Sequence, residues 1–340
     1  MGKKRIDIRD VAALAGVSVG SASRVINGAV NVSQATREKV ERAIALLGYR
    51  PSHAAQALRS RSTKTVGCMI SDVTNPLYAR LFQAIEARLR TEGYVLLLAN
   101  GLNNAERERE IMALFQQRRM DGIIVTPGNE RDPGILAALN TDMPAVIVDR
   151  DMRTRQDAVM FDHVPAMKCA VTHLLDLGHR RIALLVSRVE VRPNRRRVEG
   201  FRAAFRAYGL PCPEELIRRQ TTSARATFDE VLGLLQSPDP PTAFIVQGTN
   251  TLAAALNAIS AAGRRIPDDV SLISIGDPDF AQTHVPPIGA LRIDPEVVAD
   301  RIATLLLDRM RRTFADPAPR RSVVRFQFEP RGSCAPPRPR

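Results

Sequence analysis

Arg24 is the residue with the clearest chemistry in the N-terminal part of the chain. It lies in the segment DVAALAGVSVGSASRVING, which runs from Asp10 to Gly28. An arginine guanidinium can donate two hydrogen bonds to O6 and N7 of guanine in the major groove of DNA. Small and polar side chains around it could touch base edges or phosphates as well. The candidate DNA contacts in and just after this segment are Ser18, Val19, Gly20, Ser23, Arg24, Asn27, Ser33 and Thr36.

A second concentration of guanidinium groups comes in the middle of the chain, at Arg192, Arg195, Arg196 and Arg197. Planar guanidinium groups bind carboxylates and phosphates through paired hydrogen bonds. The run therefore predicts affinity for a small anion. A solvated arginine-rich loop in an arginine-rich protein is the alternative.

Catalytic chemistry has little support in the sequence. The chain has no phosphate-binding G-x-x-x-x-G-K-[ST] pattern, no G-x-G-x-x-G after a strand and no H-E-x-x-H. The five histidines do not cluster, and the four cysteines are far apart without the paired spacing of a metal site. We therefore expect no catalytic residues, no metal and no cofactor, and an enzyme is disfavoured.

The elements that must position Arg24 are two short helices around a tight turn. Asp7 can cap the first helix together with Asp10, and Gly16 can adopt the left-handed conformation that the turn needs. Ser18 is a natural cap for the second helix. This pattern predicts a helix-turn-helix, whose second helix lies in the major groove.

A third helix is predicted to begin at Ser33 or Thr36 and to end at Gly48. Through Arg61, eleven Lys and Arg stand against four Asp and Glu, which is +7 of the chain's net charge of +13. Neutralising DNA phosphates requires such an excess. A DNA-binding headpiece over residues 1–50 is therefore favoured over a three-helix subdomain that binds nothing.

The rest of the chain alternates short apolar runs with helical patterns. The predicted buried strands are Val66 to Ile70, Tyr94 to Ala99, Gly122 to Val125, Ala145 to Val148, Ile182 to Val186, Ala243 to Val246 and Val270 to Ile275. Such alternation is typical of parallel sheets covered by helices. Two successive series predict two similar α/β lobes after a small all-α headpiece. The Pro- and Arg-rich tail beyond Pro330 is expected to be loose.

Longer stretches of the chain carry a family resemblance. They include DVAALAGVSVGSASRVING, VSQATREKV, LGYRPSHAAQALRS, DVTNPLYARLFQAIE, DGIIVTP, HLLDLGHRRIALL, RVEGF and IPDDVSLISIGD. Together they resemble the LacI (LacI/GalR) family of bacterial transcription regulators, from Ile6 to about Pro337. The resemblance implies a two-lobe periplasmic-binding-protein-like fold, with three crossovers between the lobes.

The resemblance also implies a hinge helix and linker over residues 51–63. There Leu58 would insert between base steps in the minor groove, with Ala55 and Arg59 beside it. An effector-binding and dimerisation domain would span residues 64–340. Its N-lobe would take about 64–163 and 292–323, and its C-lobe about 164–290 and 324–337.

An effector cleft is expected at the carboxyl ends of the strands. The residues that match effector positions of the family are Asn75, Leu77, Tyr78, Asp149, Asp162, Arg192, Arg197, Thr249 and Asp277. Each could instead be a surface ion-pair partner or a packing residue. The chain has Thr249-Asn250 where the family usually shows Asn-Asp, and its acid follows Gly276 by one position. These departures put a neutral-hexose pocket in doubt. The expected effector is a sugar, a sugar acid or a sugar phosphate, and the run from Arg192 to Arg197 is the reason to include the two anionic classes.

These features predict a homodimeric, effector-controlled repressor that binds a pseudo-palindromic operator in double-stranded DNA. The start MGKKRIDIRD has no apolar run after it, and no uncharged apolar stretch could span a membrane. The predicted location is therefore cytoplasmic, at the nucleoid, with no membrane partner. A solute-binding protein of the same two-lobe fold without DNA function is the alternative.

Overall fold

The computed structural model describes residues 6–29, 31–49, 62–187, 189–220, 223–311 and 318–338. These residues form two compact units, divided between Lys64 and Thr65. The predicted hinge contacts Ala55, Leu58 and Arg59 lie outside the described residues. None of the helices in the described ranges is both long and apolar enough to cross a membrane.

The first unit contains three helices around a small apolar core. They are α1 (Ile8–Ala15), α2 (Val19–Ile26) and α3 (Gln34–Leu47). Asp7 and Asp10 form the predicted capping box at the start of α1, and Gly16 ends that helix with a φ of 65°. The helices converge on Val11, Val25 and Val40, which are buried. The helix-turn-helix prediction is thereby confirmed.

The caps of α2 and α3 are serines. The Ser18 Oγ accepts a hydrogen bond from Ser21 N at 3.1 Å, and the Ser33 Oγ accepts one from Thr36 N at 3.3 Å. Ser33 rather than Thr36 therefore begins α3. Each serine hydroxyl satisfies a backbone N–H that the first turn of a helix leaves without an internal partner.

The second unit is built from two sheets whose strands alternate with helices. Its strands are β1 (Thr65–Ile70), β2 (Val95–Asn100), β3 (Gly122–Val125), β4 (Ala145–Val148), β5 (Asp157–Phe161), β6 (Ile182–Ser187), β7 (Ile217–Gln220), β8 (Ala243–Gln247), β9 (Ser271–Ile275), β10 (Gly289–Arg292), β11 (Arg321–Val324) and β12 (Gln327–Glu329). Its helices are α4 (Pro76–Arg90), α5 (Ala105–Gln117), α6 (Pro133–Leu139), α7 (His163–Asp176), α8 (Arg192–Ala207), α9 (Ala224–Leu235), α10 (Thr249–Ala261), α11 (Asp279–Thr283) and α12 (Pro295–Met310).

The two sheets define two lobes. The N-terminal lobe has the strand order β11-β5-β4-β3-β1-β2, and the C-terminal lobe has the order β12-β10-β9-β8-β6-β7. Neighbouring strands are parallel in both sheets except β10 and β12, which pair antiparallel. Helices cover the sheets, so β3, β4 and β6 are buried along their whole length. This architecture confirms the predicted two-lobe α/β fold with parallel sheets.

The chain passes between the two sheets three times. It leaves the N-terminal sheet after β5, returns to it between β10 and β11, and leaves it again between β11 and β12. Within the return, α12 packs against the N-terminal sheet, where Ile302 and Leu306 join the same core as Leu81 and Ile85 of α4. Three connections therefore join the two lobes.

The expectation of a loose tail is wrong for residues 330–338. Ser333 is fully buried. Its Oγ donates to Leu272 O at 2.6 Å and accepts from Gly289 N at 2.8 Å. His179 is also held by the tail, since its Nε2 lies 3.0 Å from Ala335 O. The composition of the tail predicts poor packing, but its backbone groups and one hydroxyl pair with the C-terminal sheet.

A buried ion-pair network fixes the outer edge of the N-terminal sheet. Asp157 on β5 has no exposed surface. Its carboxylate accepts hydrogen bonds from Arg309 at 2.6 and 3.0 Å and from Arg320 at 2.7, 2.8 and 3.0 Å. Burial alone would raise the pKa of Asp157, but these donors hold it below the ordinary value. The network therefore joins β5, α12 and the segment before β11 through one ionised carboxylate.

Candidate functional site

Helix α2 presents one exposed face with the predicted DNA contacts. Val19, Gly20, Arg24 and Asn27 are exposed and Ser23 is half-buried, while the opposite face packs into the core of the first unit. The Arg24 Nε lies 3.4 Å from Gly20 O, a long hydrogen bond that leaves the guanidinium near the helix surface. The Asn27 Nδ2 donates to Ser23 Oγ at 3.3 Å. This face can enter a groove with its donors still available.

Ser18 and Ser33 are exposed and Thr36 is half-buried, and all three have local partners. Ser18 and Ser33 accept from backbone N–H groups as caps, and the Ser33 and Thr36 hydroxyls lie 2.9 Å apart. A capping hydroxyl at a helix start is adjacent to the unpaired N–H groups and the positive end of the helix dipole, which favour phosphate. These residues fit contacts to the DNA backbone rather than to bases.

Asp149 is the centre of the cleft between the lobes. It follows β4 with a φ of 52°, a left-handed conformation that Asp tolerates better than most residues. Its Oδ2 lies 2.7 Å from His163 Nε2, and its Oδ1 accepts from Arg192 Nη1 at 2.7 Å and from Phe161 N at 3.2 Å. Burial alone would raise the pKa of Asp149, but His163 and then Arg192 hold it below the ordinary value. Asp149 is therefore an ionised acceptor that already has donors from the protein.

Glu130 forms a second contact across the cleft, and nothing in the sequence singled it out. It lies in the loop between β3 and α6 and is 5 % exposed. Its Oε1 accepts from Arg192 N at 2.7 Å and from Asp151 N at 3.0 Å, and its Oε2 accepts from Arg195 Nη2 at 2.7 Å. Two of these three donors belong to α8 of the other lobe.

Arg197 also lies on α8 and approaches Asp149 and Tyr78 closely enough to interact with both electrostatically. Its Nη1 donates to Asn194 Oδ1 at 3.1 Å. Its Nε is buried and finds no hydrogen-bond partner among the described residues. Burial lowers the pKa of Arg197 to about 10, so the group stays protonated at neutral pH. A buried donor without a hydrogen-bond partner destabilises the folded protein, and a ligand oxygen that accepts from it would remove this cost.

Positive charge exceeds negative charge around Asp149. Arg150 is buried and donates to Pro127 O at 2.6 Å and to Asp149 O at 3.1 Å, so neither of its bonds is to a carboxylate. Arg150, Arg192 and Arg197 all interact with the one carboxylate of Asp149. Glu108 attracts Arg150 as well, but burial raises its pKa to about 7. The excess of guanidinium groups suits a ligand that carries negative charge.

Other predicted effector residues have structural partners. The Asn75 Oδ1 caps α4 by accepting from Leu77 N at 3.1 Å, and Leu77 and Tyr78 pack against the core of the N-terminal lobe. Asp277 forms a bidentate pair with Arg331, with both N–O distances at 2.8 Å. Arg331 thus takes up both carboxylate oxygens.

Asp162 and Thr249 begin helices near the cleft. Asp162 precedes α7 but gives it no side-chain cap, and Thr249 is the first residue of α10. The structure thus brings Asp149, Arg192, Arg197 and Tyr78 together. Glu130 and His163 are the partners that the sequence did not identify as site residues. His163 closely follows β5 at the carboxyl edge of the sheet, which is the signal that could have indicated it, whereas Glu130 lies further along the loop after β3 and carries no such signal.

Both units of the chain match known protein families. Residues 7–52 match the model of bacterial regulatory proteins of the lacI family, and residues 171–334 match a periplasmic binding protein-like domain. The HTH-type transcriptional regulator CelR of Thermobifida fusca is 32% identical over 319 residues, which cover 91% of this chain and 93% of that protein. The chain belongs to the LacI family. It is thus a transcriptional regulator with a DNA-binding helix-turn-helix.

Solved structures of LacI-family proteins share its fold over nearly the whole chain. The lac repressor dimer bound to operator and an anti-inducer aligns with a TM-score of 0.85 at 25% identity, covering 98% of this chain and 100% of that one. The CelR–cellobiose complex aligns with a TM-score of 0.72 at 29% identity, covering 97% of this chain and 100% of that one. The LacI-family assignment therefore holds for the headpiece and for both lobes.

Proposed function

We propose that this LacI-family regulator is a homodimeric repressor whose affinity for a pseudo-palindromic operator is controlled by a small anionic effector, a sugar acid or sugar phosphate. The observation that carries the proposal is the charge excess around Asp149, in a chain whose helix α2 exposes Arg24. The proposed organisation is a headpiece over residues 1–50, a hinge over 51–63 and an effector domain over 64–340. The protein acts on DNA in the cytoplasm.

DNA binding in this proposal divides between base reading and positioning. Arg24 reads guanine, Val19 and Gly20 allow close approach to the bases, and Ser18 and Ser33 contact phosphates. Leu58 of the hinge inserts between base steps and bends the operator. Ala55 and Arg59 lie beside it in the minor groove.

The homodimer is supported by the edge strand β2. Strand β2 is the edge strand of the N-terminal sheet. Val95 and Leu97 lie on the same side of this strand, and they are 57% and 43% exposed. An edge strand with exposed apolar side chains is a template for association. A second copy that covers this face would bring two headpieces to two half-sites, as symmetric operators require. The lac repressor, which shares the fold, was solved as a dimer bound to operator.

The anionic effector is supported by the balance of charge in the cleft. The guanidinium groups of Arg150, Arg192 and Arg197 all interact with the carboxylate of Asp149, and the Nε of Arg197 has no partner in the described chain. CelR was solved with cellobiose, a neutral sugar, so a ligand related to sugars suits the fold. The extra arginines of this chain favour a sugar that carries a carboxylate or phosphate.

A footprint of the purified protein on the region upstream of its own operon tests the regulator proposal. We expect a protected pseudo-palindrome, a sedimentation coefficient of a dimer, and release or tightening on addition of one sugar acid or sugar phosphate from a panel. Binding to random DNA with the same affinity would contradict the proposal. A response to neutral sugars alone would contradict the anionic effector but would leave the proposal of an effector-controlled repressor in place. A solute-binding protein without DNA function would bind the effector and leave no footprint.

A further inference from the structure

Helix α8 of the C-terminal lobe begins without a cap of its own. Val191 is the residue before it and provides no side-chain hydrogen bond. Pro193 has no N–H and Asn194 N bonds to Val191 O at 3.1 Å, so Arg192 N is the N–H that the helix leaves unpaired in this first turn, at the positive end of the helix dipole. A helix start of this kind, next to Arg195, attracts a carboxylate or phosphate.

The carboxylate at this position comes from the other lobe. Glu130 accepts from Arg192 N at 2.7 Å and from Arg195 Nη2 at 2.7 Å, so it takes the place of the missing cap across the cleft. Asp151 N holds it from its own lobe at 3.0 Å. The Glu130 carboxylate is thus bound as a separate anion would be, although it belongs to the same chain.

The neighbouring groups show that this subsite adjoins the effector cleft. Arg192, whose N–H binds Glu130, uses its guanidinium to bind Asp149 at 2.7 Å and Phe161 O at 3.0 Å. Two residues beyond Arg195, Arg197 brings a buried and unpartnered Nε to the same helix. The Glu130 subsite therefore adjoins the groups proposed to bind the effector, and a ligand anion that reaches Arg192 N and Arg195 would compete with Glu130.

We infer that Glu130 is a built-in anion at the α8 anion subsite, and that the carboxylate or phosphate of the effector competes with it for Arg192 N and Arg195 and displaces it. The inference deepens the proposed function and rests on its anionic effector. When the ligand displaces Glu130, Arg192 N and Arg195 of the C-terminal lobe lose their hydrogen bonds to the N-terminal lobe and bind the ligand instead. Effector binding thereby loosens one of the contacts that hold the lobes together.

Glu130→Gln tests the competition in the full-length protein, with inorganic phosphate as the probe in isothermal titration. The amide keeps the size of the side chain but removes the competing charge. A charge-assisted hydrogen bond corresponds to roughly ten- to a hundredfold in affinity, so we expect phosphate to bind at least about tenfold more tightly than to the parent. Equal or weaker binding by Glu130→Gln would overturn the inference.

Glu199→Gln is the matched control. Glu199 pairs with Arg196 on the same helix at the same 2.7 Å distance, but this pair is exposed and lies within one lobe. We expect its phosphate affinity to equal that of the parent. A gain as large as that of Glu130→Gln would mean that any loss of negative charge suffices, and would overturn the specific role of Glu130.

A double-mutant cycle with Arg195→Ala keeps the inference testable if Glu130→Gln alone alters folding. If Glu130 and phosphate share Arg195, the gain from Glu130→Gln shrinks to about threefold or less when Arg195 is absent. An undiminished gain would show that the two anions use different donors. Thermal unfolding of all four proteins identifies any that are not folded.

The operator footprint separates this inference from the proposed function. If the parent and Glu130→Gln both bind the operator and have the same phosphate affinity, the displacement of Glu130 is overturned and the proposed repressor function is retained. Competition in the absence of any footprint would support the displacement and overturn the repressor.

Discussion

The two units of the chain use charge in opposite ways. In the first unit Arg24 stands exposed on α2, with a single long bond to a carbonyl of its own helix. In the second unit Arg192, Arg309 and Arg320 are directed to buried carboxylates of the same chain. A surface that meets a partner outside the chain keeps its donors available, whereas the interior of the second unit pairs its arginines with carboxylates of the same chain.

Within the second unit the buried carboxylates differ in what they join. Asp157 and both of its arginines belong to the N-terminal lobe, so that network holds one body together. Asp149 and Glu130 join the two lobes through α8. Ligand-dependent change is therefore expected at Asp149 and Glu130 and not at Asp157.

Asp157→Ala should have the largest effect on stability. It leaves two guanidinium groups next to a buried site without their carboxylate, which costs about 3–5 kcal/mol in free energy of unfolding. Urea unfolding of the second unit measures the change. Asp229→Ala is the control, because its pair with Arg225 is exposed and four residues apart on one helix, so its loss should cost only about 0–1 kcal/mol. Similar losses for both variants would erase the distinction between buried and exposed pairs.

Arg197→Ala should impair the effector response and leave operator binding intact. Loss of a charge-assisted hydrogen bond in the cleft costs about 1.5–3 kcal/mol, or roughly ten- to a hundredfold in effector affinity. Titration of the effector found in the panel measures the first effect and a gel shift the second. Effector affinity equal to that of the parent would remove Arg197 from the site.

Arg24→Ala should weaken operator binding by roughly 1–3 kcal/mol and relax the base preference at one position of each half-site. The control is Arg42→Ala on α3, an exposed arginine outside the predicted contacts, which should change the affinity little. Competition gels with operator and random DNA distinguish the two roles of Arg24. An equal loss on both DNAs would mean that Arg24 contacts only phosphate.

Glu108→Gln should give the smallest effect, and one that depends on pH. The Glu108 carboxylate is fully buried and accepts from Gly128 N at 2.8 and 3.1 Å, and burial raises its pKa from 4.5 to about 7. A raised pKa means that the contribution of Glu108 to stability is present below pH 4.5 and is lost as the pH rises through about 7. Replacing the acid by an amide removes this loss.

The stability gained by Glu108→Gln over the parent should therefore be larger near about pH 8 than near about pH 5.5, by up to about 2 kcal/mol. Urea unfolding at both pH values measures it. Glu106→Gln, on the first turn of the same helix and exposed, is the control for replacing a glutamate by its amide in this helix. A gain that is constant with pH would mean that Glu108 ionises normally.

Local sequence alone determined the first unit. The caps Asp7, Ser18 and Ser33 and the left-handed Gly16 act within a few residues. The helical spacing of apolar residues within each helix identifies its inner face, which includes Val11 on α1, Val25 on α2 and Val40 on α3. The central strands were equally predictable, because strands buried on both faces are continuous apolar runs. Strand β5 contains the buried Asp157, and β7 reads Ile-Arg-Arg-Gln at the edge of its sheet, so neither stood out.

Tertiary structure alone decided how the cleft is paired. Glu130 and Arg192 are 62 residues apart, and Asp277 and Arg331 are 54 apart. No periodicity links residues so distant, because their approach follows from the order of strands and the three crossings of the chain. The tail shows the same limit, since Ser333 gains its partners from β9 and β10 rather than from its neighbours in sequence. Residue types indicated that anions and DNA could be bound, and long-range packing determined which charges remain available to bind them.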